Sequence, residues 1–170
     1  KSILFIPDKN LGRYLIKKTG REMVLWDGVC HVHQAFDKQK IEAIMSHYPD
    51  ALFLAHPESD EPILQMATFV GSTSAMINYV KKSNAERFII ATEAGILHQM
   101  QKEVPEKKLI PAPAFENNTC ACSECNFMKM NTLEKLYNCL ATESPEIILD
   151  ESLQQKALIP INRMLALSVL

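Results

Sequence analysis

Three cysteines crowd into one short stretch, Cys120-Ala-Cys122-Ser-Glu-Cys125, and another stands upstream in Cys30-His-Val-His33. Thiolates in a loop have the backbone freedom to converge on a metal, and a helix starting just after them lowers their pKa values. Two metal chemistries fit. Cys30, Cys120, Cys122 and Cys125 could form a closed four-cysteine zinc site within the chain. Alternatively, one or two of them could join more distant thiolates around an iron–sulfur cluster. The C-x-C-x-x-C spacing is not the paired C-x-x-C of a zinc ribbon, and spacing alone does not choose the metal. Cysteine is also a small hydrophobe that cores accept readily. Cys139 lies within an apolar helical pattern and is expected there.

His56-Pro-Glu58-Ser59 sets an imidazole and a carboxylate two positions apart. In extended chain such side chains point to one side, and Pro57 stiffens the turn between them. The pair suits proton transfer near neutral pH, although Ser59 or Asp60 as a helix cap accounts for the segment equally well. Gly71-Ser-Thr-Ser74 opens a helical stretch, and its hydroxyls and free N–H groups would accept an anion. Ordinary N-capping by Ser72 or Thr73 is the competing reading.

Short apolar runs must position these groups. Strands are expected at 2–6, 23–26, 51–54, 87–91 and, more weakly, 108–110, alternating with helical patterns. Helices are expected over 37–47, 61–69 and 74–82. A further one starts near 132 with Asn131 and Glu134 as a capping box, and a last one starts near Asp150 and is interrupted or restarted at Pro160. Most of Pro105–Asn118 reads as loop. The alternation predicts an α/β fold with a parallel sheet. Three strands end alike, in Asp8, Glu58 and Glu93, and open α/β sheets bind ligands beyond such carboxyl ends. For Asp8 and Glu93 the preferred reading is a carboxylate at a helix N-terminus.

Composition narrows the function further. With 18 basic and 20 acidic residues among 170, net charge −2, the chain has no electrostatic footprint for nucleic acid or an anionic membrane. No apolar run is long enough to span a bilayer and no signal segment opens the chain, so a cytoplasmic protein is expected. Five cysteines, an odd number, in a reducing compartment point to metal binding or catalysis before disulfides. The first residues are already strand-like and carry no initiator Met, so the chain reads as a piece of a longer protein.

Taken in order, the segments resemble one family, quinolinate synthase, an iron–sulfur enzyme of bacterial NAD biosynthesis. The matching stretches are Pro7-Asp-Lys-Asn-Leu-Gly12, Trp26-Asp-Gly-Val-Cys30-His-Val-His33, His56-Pro-Glu-Ser59 and Val70-Gly-Ser-Thr-Ser74. They continue through Ala91-Thr-Glu93, Asn118-Thr-Cys120, Cys125-Asn-Phe-Met-Lys-Met-Asn131 and Ala157-Leu-Ile-Pro-Ile-Asn-Arg-Met-Leu165, covering nearly the whole chain.

The resemblance implies three-layer α/β/α units arranged as three domains about a pseudo-threefold axis. Residues 1–30 would close the second domain, 31–115 form the third, and 116–170 carry the cysteine loop and closing helices, with an N-terminal half missing. It further implies a [4Fe–4S] cluster on three cysteines with one iron free for substrate. Cys30 matches the second ligand and Cys125 the third, although Asn126 replaces a frequent proline. Cys120 and Cys122 match extra cysteines of some members. The implied reaction condenses iminoaspartate, supplied by an L-aspartate oxidase, with dihydroxyacetone phosphate. Glu58 would then do acid–base work, His56 orient substrate, and Thr73 with neighbouring Ser72 receive an anionic group. His33 would line the same cavity.

Overall fold

Alternation along the strands divides the apolar side chains between two faces of one sheet. In the computed structural model, which describes residues 2–114 and 123–168, strands β3 (Leu52–Ala55), β4 (Phe69–Val70), β5 (Arg87–Ala91) and β6 (Lys108–Pro111) are all parallel, in the order β4-β3-β5-β6. Phe53, Ala55, Ile89 and Ala91 face one core with Ile41 and Ile63; Leu54, Phe88 and Ile90 face the other with Met76, Val80 and Met100. Helices α3 (Lys38–His47) and α4 (Glu61–Met66) cover the first face, while α5 (Thr73–Lys82) and α6 (Gly95–Glu103) cover the second. This is the expected three-layer α/β/α unit. Phe53 and Phe88 are fully buried, each contributing about 1.5–3 kcal/mol by area.

A second, two-stranded parallel sheet pairs β1 (Leu4–Phe5) with β2 (Val24–Leu25) through helix α1 (Lys9–Thr19). A helix is expected after Asp8 but without bounds, because its apolar positions are sparse and Gly12 weakens the pattern. That glycine permits close packing: a Cβ there would stand 2.5 Å from Leu25 Cδ2. Gly20, at φ 68°, ends the helix in the left-handed region that glycine adopts freely.

Several boundaries differ from expectation. The helix expected over 61–69 stops at Met66, because Thr68 donates its N–H to Phe53 O at 2.7 Å and Phe69–Val70 add a strand beside β3. In the second compact unit, residues 130–170, helix α8 (Leu133–Thr142) is capped by Thr132 rather than Asn131, the Thr132 hydroxyl accepting from Lys135 N. Helix α9 (Glu151–Leu167) runs through Pro160 without interruption. One missing N–H among 17 residues, with Asp150 capping the start, does not break it. Cys139 is exposed rather than in a core, as are Leu133, Leu136, Tyr137 and Leu140 of the same helix. Helical periodicity identified that face but not whether the chain covers it. Among the described residues no helix is long and apolar enough to cross a membrane.

Candidate active site

Connectivity places a crevice between β3 and β5. The chain leaves β3 through α4 towards β4 on one side, and leaves β5 through α6 towards β6 on the other. Connections that diverge from neighbouring parallel strands open a gap at their carboxyl ends, where such sheets bind ligands. His56, Pro57 and Glu58 follow β3, and Thr92 and Glu93 follow β5.

The short helix α2 (His31–Gln34) brings its residues to this edge. His33 Nε2 lies 3.1 Å from Thr92 Oγ1 in a buried hydrogen bond, and the His33 and His56 rings stack at 4.4 Å. Cys30, His33 and Glu58 each present a ligand atom, all within 4.8 Å of one another. Three of the residues singled out by type therefore converge, with His56 beside them.

Burial shifts the pKa values of the two imidazoles and the carboxyl group. It lowers the His33 pKa to about 4, with the charge of nearby His56 adding to the effect and Asp8 opposing it. His56 is also lowered by burial, against the pull of Asp8. Glu58 is raised, first by burial and then by the negative charge of Asp8. Glu58 Oε2 lies 3.0 Å from His33 Nδ1, yet both shifts disfavour a charged pair. The approach lacks hydrogen-bond alignment, so His33 Nδ1 is a buried nitrogen without a hydrogen-bond partner among the described residues. We therefore read the contact as a neutral imidazole beside a carboxyl group. His56 Nδ1 accepts a long bond from Glu58 N, 3.4 Å, which leaves the proton of its neutral ring on Nε2.

Four supporting residues were missed or assigned only a capping role. Asp8 does cap α1, its Oδ1 accepting from Leu11 N, but its Oδ2 also accepts from Cys30 N at 2.9 Å. Glu93 accepts from Gly95 N and, at 3.3 Å, from Cys125 N. Buried Asn10 donates to Glu58 O and to Asp60 Oδ1, both at 3.1 Å, holding the turn that carries Glu58. Thr92 fixes His33. Only the strand-end position of Asp8 and Glu93 hinted at more than capping; nothing in their spacing named the cysteines as partners.

Cys125 precedes helix α7 (Asn126–Lys129), and the ring of Phe127 meets His31 edge-on at 5.4 Å. The two cysteine-bearing turns are thus neighbours, and both cysteines are free thiols of intermediate exposure. Ser72 caps α5, its hydroxyl accepting from Ala75 N, and Thr73 is the first helical residue. Gly71 N donates to Ala55 O at 3.2 Å, so this turn adjoins the end of β3. No hydrogen bond or ion pair joins Ser72 or Thr73 to the histidine–carboxyl group among the described residues. Cys120 and Cys122 lie outside them.

Fold and site define a parallel α/β protein with a thiol, imidazoles and a carboxyl group gathered at a strand-end crevice. Such a donor set is typical of metal-binding enzymes. The family model described as NadA: Quinolinate synthetase A protein matches residues 1–166, and the chain belongs to that family. It is 52% identical over 166 residues to the quinolinate synthase of Microcystis aeruginosa (strain NIES-843 / IAM M-2473), covering 98% of this chain and 51% of the relative. It is 51% identical over 168 residues to that of Chloroherpeton thalassium (strain ATCC 35110 / GB-78), covering 99% and 52% respectively. The chain spans about half the length of the curated relatives it matches.

Proposed function

We propose that the whole protein to which this chain contributes is a quinolinate synthase, condensing iminoaspartate with dihydroxyacetone phosphate to quinolinate with loss of phosphate and water. The observation that carries the reading is the convergence of Cys30, His33 and Glu58 at the carboxyl edge of the sheet, in a chain of this family. Residues 1–30 would belong to one α/β domain, 31–115 to the next, and 116–170 to the cysteine loop and closing helices. Leu4, Val24 and Trp26, exposed on a two-stranded sheet, favour a further layer supplied by the rest of the protein.

The donor set fits a [4Fe–4S] cluster. Cys30 and Cys125 are free thiols on adjoining turns whose backbone N–H groups are held by Asp8 and Glu93. A third cysteine would come from outside this chain. When bound, the cluster supplies a Lewis-acidic iron that polarises a substrate oxygen.

The chain's own residues do the remaining work. Glu58, raised from the usual carboxylate range by burial and partly exposed, is suited to take and return a proton. His56, neutral with its proton on Nε2, can donate a hydrogen bond to a substrate carboxylate or carbonyl. His33, held by Thr92, closes the inner wall. Thr73 and Ser72, at the N-terminus of a ten-residue helix beside the end of β3, would receive an anionic group on free N–H donors. An aspartate oxidase is the class of enzyme that would supply the labile imine.

The test is anaerobic purification of the whole protein, with iron and sulfide analysis and a quinolinate assay in which aspartate oxidase generates iminoaspartate. A brown protein that forms quinolinate only with both substrates is expected. One equivalent of zinc, no iron and no product would overturn the reading.

A further inference from the structure

We infer that Cys30, His33 and Glu58 form a binding site for a single divalent transition-metal ion of the zinc class, occupied when no cluster is present. The donor types are those zinc takes: a thiolate, an imidazole nitrogen and a carboxylate oxygen. Their ligand atoms already lie within 4.8 Å of one another, against roughly 3.4–3.6 Å between the ligands of a tetrahedral zinc ion. Rotation about χ1 of Cys30, and about χ1 and χ2 of Glu58, would move their ligand atoms to close that difference.

Independent support comes from the nitrogen itself. The His33 side chain is 8% exposed, and Nδ1 is one of two buried side-chain polar atoms without a hydrogen-bond partner among the described residues. A buried polar atom left unpartnered carries its full desolvation penalty. A metal bound to Nδ1 would relieve that penalty, and Glu58 Oε2, 3.0 Å away, would supply its carboxylate ligand.

The surroundings resemble those of a prepared ligand set. When Thr92 Oγ1 accepts the proton of His33 Nε2, the Nδ1 lone pair is free to ligate. Asp8 holds the Cys30 backbone and Asn10 holds the Glu58 backbone. Three protein ligands leave one coordination position open, as in zinc sites that bind water or substrate.

Ion binding stands on geometry alone. That the ion and the cluster exclude each other, both needing Cys30, rests on the proposed function. Zinc held at Cys30 would then block cluster assembly.

The experiment uses the whole protein, freed of iron and reduced, carrying Cys120→Ser, Cys122→Ser and Cys125→Ser to remove the loop thiolates. Cobalt(II) serves as the optical probe, and zinc is measured by competition with a chromophoric chelator. One equivalent of cobalt with a thiolate charge-transfer band is expected. Cys30→Ser should abolish the band, and Glu58→Gln should weaken zinc binding at least tenfold while circular dichroism stays unchanged. Cobalt binding without the band, or zinc affinity indifferent to both substitutions, overturns the inference. The two readings fail separately. If the unsubstituted protein assembles its cluster but the triple variant shows no cobalt site, only the ion site is refuted. If the triple variant takes cobalt at Cys30 but the unsubstituted protein never forms a cluster or quinolinate, only the proposed function is refuted.

Discussion

Asp8 and Cys30 are joined across 22 residues by a 2.9 Å hydrogen bond from the Cys30 backbone N–H to Asp8 Oδ2, and the carboxylate is 2% exposed. Its other oxygen caps α1 through Leu11 N. One side chain thus fixes both the helix after β1 and the turn that carries the thiol. The second strand-end carboxylate repeats the arrangement more loosely, Glu93 accepting from Gly95 N and Cys125 N. A sheet edge that presents carboxylates towards ligand-bearing turns is a way to set thiol positions before any metal arrives.

Replacing Asp8 tests that tether. Asp8→Asn keeps one acceptor oxygen for the helix cap but turns an NH2 towards the Cys30 N–H, leaving a buried donor unpaired. The expected loss is about 1–3 kcal/mol of unfolding free energy, read from denaturant midpoints. Asp8→Ala removes both bonds and should cost more. If Asp8→Asn melts like the parent, the bond to Cys30 contributes nothing.

Glu93→Gln should be milder. Gln retains a carbonyl oxygen for one of the two N–H groups, and the Cys125 bond is already long at 3.3 Å. A loss under about 1 kcal/mol is expected. In the whole protein, the iron-to-protein ratio should fall less for Glu93→Gln than for Asp8→Asn. The reverse order would show that the Cys125 turn is the more fragile of the two.

The core was legible because strand alternation and length are read directly: 87–91 matches β5 residue for residue, and 37–47 starts at the cap of α3. Cys30, His33, His56 and Glu58 could be named from residue type and from position at strand ends. Their convergence depended on strand order, and local pattern does not encode that β5 lies beside β3 while β4 is displaced to the edge. The supporting groups were less visible for a further reason. Asp8 and Glu93 satisfy a local N–H as any capping carboxylate does, and the second carboxylate oxygen, which reaches a cysteine turn far along the chain, leaves no periodic trace. Cys139 shows the converse error: a helical face read correctly, on a residue that is exposed rather than packed.

Three inter-element ion pairs give an acid-side dependence with a definite sign. Arg87 lowers the pKa of Asp50 from 3.8, while Lys17 and Lys81 lower those of Glu61 and Glu103 from 4.5. A carboxylate depressed in the folded state contributes stability that is present above its unfolded pKa and lost as pH falls through the folded one. The triple variant Arg87→Gln, Lys17→Gln, Lys81→Gln should therefore melt below the parent at pH 6, and the gap should close as pH drops below about 3.8. Salt near 1 M should shrink the gap at pH 6, since these pairs are exposed. A gap that widens in acid would contradict the assignment.

Glu58→Gln separates chemistry from assembly. The amide is nearly isosteric and keeps an oxygen within reach of the site, and the turn that carries it is held through its backbone carbonyl by Asn10, not through the side chain. Folding and iron content should therefore match the parent. Proton transfer should not, because an amide neither takes nor returns a proton at neutral pH, and a loss of about 10²–10⁴-fold in turnover is the usual scale for such a group. Cys30→Ser makes the contrasting change, removing a thiolate and leaving the carboxyl group, so it should lose iron and activity together. The two variants, assayed side by side for quinolinate formation and bound iron, assign separate tasks to residues whose ligand atoms lie within 4.8 Å of each other. Loss of iron in Glu58→Gln would instead make the carboxylate part of the metal-holding set in the assembled enzyme.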